Sequence, residues 1–158
     1  MDVLWEELTR GLTNRHDFVR VVIRLLAATL LGAAVGMQRE RSRKSAGLRT
    51  HTLVCLATAT FVLVTFSAGL SIEGTSRVIQ GIITGIGFIG AGSILKVSEE
   101  HHVRGLTTAA SVWIAAAIGV SVGLGTVGIA ALLTSLAWII LAIVGAVEAR
   151  VEKRMRDL

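Results

Sequence analysis

TVGIAALLTSLAWIILAIVGAV, residues Thr126 to Val147, runs without a charged side chain. As a helix rising about 1.5 Å per residue it is long enough to cross a hydrocarbon core of about 30 Å. Upstream, comparable apolar runs cover Phe18 to Gly36, Thr52 to Leu70, Val78 to Leu95 and Leu106 to Val122. The chain is 53% hydrophobic and only 17% charged, with a mean hydropathy of +0.70. Its charges cluster between the apolar runs instead of alternating with apolar residues along helix faces, which excludes an ordinary soluble bundle. The expected fold is an all-α membrane protein, a polytopic bundle of about five transmembrane helices occupying residues 18–147. The chain lacks proline, so any local unwinding must come from glycine.

Residues 1–17 contain Leu4, Trp5, Leu8 and Leu12 at helical spacing opposite Glu6, Glu7 and Arg10, the pattern of a helix lying on the membrane surface. A solvent-exposed tail fits them equally. The acidic residues Asp2, Glu6, Glu7 and Asp17 make a poor start for a cleaved signal peptide. Residues 148–158 form a short basic tail.

The net charge of +5 and pI near 10.7 reflect basic residues that flank spans, not a nucleic-acid surface. Arg39, Arg41, Arg43, Lys44 and Arg49 lie in the first connection, Lys96 and Arg104 in the third, and Arg150, Lys153, Arg154 and Arg156 after the last span. The other side holds Arg10, Arg15 and Arg77, with Arg20 and Arg24 entering the first span. The positive-inside bias therefore predicts an external N-terminus and a cytoplasmic C-terminus.

Sliding the chain so that Gly32 falls on Gly90 also matches Ala33/Ala91, Gly47/Gly105, Leu48/Leu106, Thr50/Thr108, Val54/Val112, Ala57/Ala115 and Ala59/Ala117. A parallel repeat of helices 1–2 and 3–4 would produce this, although shared composition gives part of it. In the matched Gly-Leu-x-Thr segments, Thr50 and Thr108 can cap free N–H groups at the starts of helices 2 and 4 or take part in ligand or ion binding.

Helix 3 carries Gly81, Gly85, Gly87, Gly90 and Gly92, each costing about 1 kcal/mol relative to alanine in a water-exposed helix. The four-residue spacing of Gly81 and Gly85, shared by Gly32 and Gly36 and by Gly119 and Gly123, predicts close helix packing with helix 3 at the centre. The alternative is unwinding between Gly85 and Gly92 to offer carbonyls to an ion. Gly85, Gly87 and Gly90 also satisfy the dinucleotide fingerprint, but inside an apolar span that match is spurious.

Arg24, inside the first span, must snorkel to the interface or find a partner. Glu40 organises ion pairs or, less simply, binds a metal. His51 can sense pH or bridge water and backbone. The Glu99, Glu100, His101, His102 cluster reads as a solvated loop. Trp113 and Trp138 fall within spans and suit helix packing or an oligomer surface. Cys55 reads as a small buried hydrophobe. The chain offers no catalytic set, no cofactor motif and no metal motif on a helix, so it is not expected to be an enzyme. Nor do the spans carry an acid in their cores, as a proton-coupled carrier would.

Four segments carry a family resemblance: RLLAATLLGAAVGMQRER (Arg24 to Arg41), AGLRTHTLV (Ala46 to Val54), GIGFIGAGSIL (Gly85 to Leu95) and VRGLTTAA (Val103 to Ala110), the last followed by Trp113. In order and spacing the chain resembles the MgtC/SapB family of bacterial inner-membrane proteins over roughly residues 20–125. The resemblance implies adaptation to low magnesium or acidic surroundings, survival inside host cells for some pathogens, and action on membrane partners. Its shared polar positions fall on Arg24, Glu40, Arg49, Thr50, Arg77, Arg104 and Thr108, and the neighbouring Thr107 joins the candidates. Two departures stand out: the C-terminal cytoplasmic domain of many members is not expected here, and Gly74 and Thr75 stand where many members carry an Asp two or three residues before Arg77, with only Glu73 nearby, so an acid-dependent cation site is not expected there. The partners expected are the lipid bilayer, a second copy in a homo-oligomer with a dimer favoured, and another membrane protein. A small ion channel or magnesium transporter is the competing function.

Overall fold

A computed structural model describes residues 15–97 and 102–156. Among the described residues five helices make the bundle: α1 Arg15–Arg41, α2 Leu48–Ser67, α3 Ile72–Gly92, α4 Leu106–Gly123 and α5 Val127–Arg156. A short antiparallel hairpin, β1 Leu95–Val97 and β2 His102–Arg104, joins α3 to α4. The surface segment proposed for residues 1–17 lies mostly outside the described residues, as do Glu99, Glu100 and His101. The basic segment after residue 147 continues α5 as helix through Arg156.

Four of these helices are long and apolar enough to cross a membrane: α1, α2, α4 and the Val127–Gly145 part of α5. The remaining helix, α3, has 21 residues but is diluted by Arg77, Gln80 and its glycines. It nonetheless traverses the same thickness as α2. Near its start Thr75 Oγ1 donates to Thr65 Oγ1 at the end of α2, 3.2 Å away, while its last turn shares a cavity with Ser45 and Ala46, just before α2 begins.

Size sorting is the reverse of that in a water-soluble core. Small residues fill the interior, including Ala28, Cys55, Ala59, Ala115 and Ala116, while Phe18, Leu26, Leu30, Leu132, Ile140 and Ile143 point outward. In lipid, association gains little from burying large apolar groups and depends on close backbone approach. The central member is α4, which touches every other helix, with α2 packed tightly against both it and α1. A methyl group on Gly32 would come within 2.7 Å of Cys55 Cβ, and one on Gly36 within 2.7 Å of Leu48 Cα. At Gly119 it would overlap Thr58 Oγ1 and the Cys55 carbonyl.

The expected central position of helix 3 is not what the structure has. Its buried residues Thr75, Ile82, Ile86 and Gly90 form one narrow stripe, while Ile72 and Phe88 are 87% and 84% exposed. Added methyl groups at Gly81, Gly85, Gly87 and Gly92 would meet nothing within 4 Å; only Gly90 of the five faces a neighbour. Unwinding between Gly85 and Gly92 is not seen either, since α3 is a continuous α-helix through Gly92. Small residues permit close approach but do not specify which helix approaches.

The repeat alignment has a counterpart in the packing. Gly32 on α1 faces the His51 carbonyl and Cys55 on α2, and its match Gly90 on α3 faces Ala109 and Trp113 on α4. Ala109 and Trp113 are the positions that the same alignment pairs with His51 and Cys55. The second hairpin is looser because Trp113 stands where Cys55 stands in the first, and the approach is 3.7 Å instead of 2.7 Å.

Candidate functional site

At one end of the bundle, polar side chains from α1, α2 and α4 meet in a buried layer. The helix ends explain how. After Arg41, Lys44 N bonds back to Arg39 O and Arg43 N to Glu40 O, with Arg43 at φ 51°. This is a Schellman close with arginine in the left-handed position usually given to glycine. Gly69 and Gly125 close α2 and α4 in the same way, at φ 66° and 88°. The turn after α1 returns the chain so that Gly47, the residue preceding α2, lies under Glu40. There Glu40 Oε2 accepts the Leu48 N–H at 3.0 Å, and a methyl on Gly47 would collide with that carboxylate. A carboxylate on the first free N–H of a helix satisfies an orphan donor and suits the helix dipole.

This arrangement corrects the capping expected of the threonines. Gly47 and Gly105 precede α2 and α4 without a side-chain cap bond. Thr108 instead uses its hydroxyl as an acceptor, from Arg39 Nη2 at 3.2 Å and Ser45 Oγ at 3.5 Å. Arg39 is 3% exposed, and its Nε has no partner. Its position follows from the α1 face that also buries Ala28, Gly32, Val35 and Gly36: three residues past Gly36, Arg39 must point inward, while Glu40 points toward Gly47.

His51, fully buried, is held by both ring nitrogens. Nδ1 lies 2.8 Å from the Gly47 carbonyl and Nε2 lies 3.0 Å from Ser111 Oγ, which itself lies 2.8 Å from the Thr108 carbonyl. A carbonyl only accepts, so Nδ1 carries a proton. The single Ser111 proton then has two acceptors in reach. Donated to Nε2, it completes a neutral ring bonded at both nitrogens.

Of the candidates named from sequence, His51 and Thr108 come together here, while Glu40, itself exposed, reaches only the edge of the layer through the Leu48 N–H. Arg49, Arg77, Arg104 and Thr107 are exposed, and Thr50 is half-buried beside the layer. Arg24 lies at the opposite end, where its Nη1 donates to the Gly123 carbonyl at 3.0 Å. It thus pairs with the end of α4, not with an acid or with helix 3. Sequence reasoning missed Arg39, Ser45 and Ser111. Arg39 was legible from the small-residue face of α1, whereas its place in a basic run suggested only topology. Among the described residues, no group of three or more His, Cys, Asp or Glu side chains could hold a metal ion.

The profile of the MgtC family matches residues 25–150. SrpB of Synechococcus elongatus is 43% identical over 120 residues, covering 69% of this chain and 66% of that protein. YhiD of Escherichia coli, whose name assigns it provisionally to magnesium transport, is 42% identical over 111 residues, 66% of this chain and 51% of its own length. MgtC of Salmonella typhimurium is 45% identical over 104 residues, 66% of this chain and 43% of that protein. The chain thus spans about half the length of the curated relatives it matches. No solved structure matches it. With four helices long and apolar enough to cross a membrane, the repeated hairpin and a family match over most of its length, this chain belongs to the MgtC family of membrane proteins.

Proposed function

We propose that this protein serves adaptation to low magnesium or acid in a bacterial inner membrane, with its N-terminus outside and its C-terminus in the cytoplasm. It acts by helix-to-helix contact between copies, not by catalysis. The observation that carries the reading is the unfilled side of α3. A groove of about 390 Å³ between α2 and α3 is lined by Val54, Ala57, Phe61, Gly81, Gly85 and Ile89, and a methyl added to Gly81 or Gly85 would meet nothing within 4 Å among the described residues. A glycine pair four residues apart suits a second copy of itself, because a twofold interface uses one patch twice.

The test is the mass of the protein in nanodiscs. The wild type is expected as a dimer and the Gly81→Leu/Gly85→Leu variant as a monomer of undiminished thermal stability; a variant that stays dimeric overturns the proposal. The competing reading, a small cation channel or magnesium transporter, draws on the matched hairpins and the name of YhiD. It requires magnesium flux in liposomes containing the purified chain.

A further inference from the structure

At the end of the bundle away from the His51 layer, a cavity of about 390 Å³ opens between the first half of α1 and the last turn of α2. Asp17, Arg20, Arg24 and Ser67 give it polar walls, and Leu63 and Phe66 contribute apolar ones. The two arginines are one turn apart on the same face of α1. Like charges at that spacing destabilise a helix unless an anion lies between them. Neither is fully engaged. Arg20 reaches Asp17 at 3.5 Å across an exposed pair, which contributes little. The bond from Arg24 Nη1 to the Gly123 carbonyl uses one of the five donors of the guanidinium.

The position of Arg24 is built. A side chain on Gly125 would collide with its guanidinium, and Gly125 takes φ 88° in the turn after α4. The guanidinium is therefore clamped between a helix-end carbonyl and a bare backbone. The neighbouring α1 residues Phe18, Val19, Val22 and Ile23 are exposed and apolar, which sets the cavity where hydrocarbon meets headgroups. Guanidinium groups bind phosphate oxygens in pairs, and Leu63 and Phe66 supply a wall along which an acyl chain can lie.

We infer that this cavity holds the phosphate of an anionic phospholipid headgroup. An anionic lipid is preferred over a zwitterionic one because the lining has two cations and one acid, and that acid already faces Arg20. Asp17 competes with the phosphate for Arg20, which gives the site a signature of opposite signs: removing an arginine weakens binding, and removing the aspartate strengthens it.

The experiment is native mass spectrometry of the full chain in detergent, titrated with phosphatidylglycerol, phosphatidylcholine or inorganic phosphate. The wild type should hold phosphatidylglycerol over phosphatidylcholine by about fivefold or more per engaged arginine. Arg20→Gln and Arg24→Gln should each reduce that preference by about fivefold, and Asp17→Asn should raise it. Because Arg20 and Asp17 are surface side chains, their variants keep the test decisive even where Arg24→Gln fails to fold. Equal retention of the two lipids, or a preference unchanged in the arginine variants, overturns the inference. So does displacement of phosphatidylglycerol by inorganic phosphate, which would make this a site for a soluble anion.

Discussion

The glycines of α1 and α4 and the glycines of α3 share one spacing and meet different surroundings. Gly32, Gly36, Gly119 and Gly123 are pressed against backbone or Cβ atoms of α2, whereas Gly81 and Gly85 face open space. The first set lets α1, α2 and α4 approach closely enough for direct contacts, such as Thr58 Oγ1 to the Ala116 carbonyl at 3.2 Å. The second leaves α3 flanked by apolar grooves on the α2 and α4 sides. Glycine spacing in a membrane helix therefore marks an approach surface, and only the arrangement of helices reveals whether its partner belongs to the same chain.

The comparison breaks most visibly at Gly119. A methyl there strikes the backbone of α2 at Cys55 and displaces Thr58, so Gly119→Ala should lose about 3 kcal/mol in reversible denaturant unfolding from detergent micelles. A loss below about 1 kcal/mol would show that the α2–α4 approach is slack. Next comes the polar layer that ties the same three helices. His51→Ala removes a fully buried ring and its bonds to Gly47 and Ser111, and should cost about 2 kcal/mol by the same measurement.

On the open side the sign reverses. Gly85→Ala should stabilise the protomer by up to about 1 kcal/mol through helix propensity, because nothing within the chain obstructs the methyl. A destabilised protomer would mean that α3 packs more tightly than described. The smallest effect is expected at the turn after α1. Arg43 occupies the left-handed position that glycine holds after α2 and α4, so Arg43→Gly should raise stability by about 0.5 kcal/mol.

Much of this architecture was legible because lipid demands long uninterrupted apolar helices, and Thr126 to Val147 can satisfy no other environment. The pairing of the hairpins was legible too, since Gly32 and Gly90 kept equivalent neighbours. The place of α3 was not. Its glycines carry the same periodicity as those of α1, and periodicity records a face without naming what covers it. The site was legible in part for a related reason. Glu40, His51 and Thr108 stand out as polar residues near span ends, while Arg39 is hidden by neighbours with the same charge. Only the α1 face running through Gly32 and Gly36 shows that Arg39 points inward. Local sequence also suggested that threonines cap α2 and α4, whereas the Leu48 N–H is satisfied by Glu40 from another helix, a contact that only the folded turn creates.

The central claim is that a second copy covers the glycine face of α3. It is tested most directly by disulfide crosslinking in native membranes, with Cys55, the single cysteine, replaced by alanine and one cysteine introduced at a time. Gly85→Cys should yield a covalent dimer, while Ile140→Cys on the outward side of α5 should remain monomeric under the same oxidant. A Gly85→Cys protein that stays monomeric, or crosslinks no more readily than Ile140→Cys, would contradict the account.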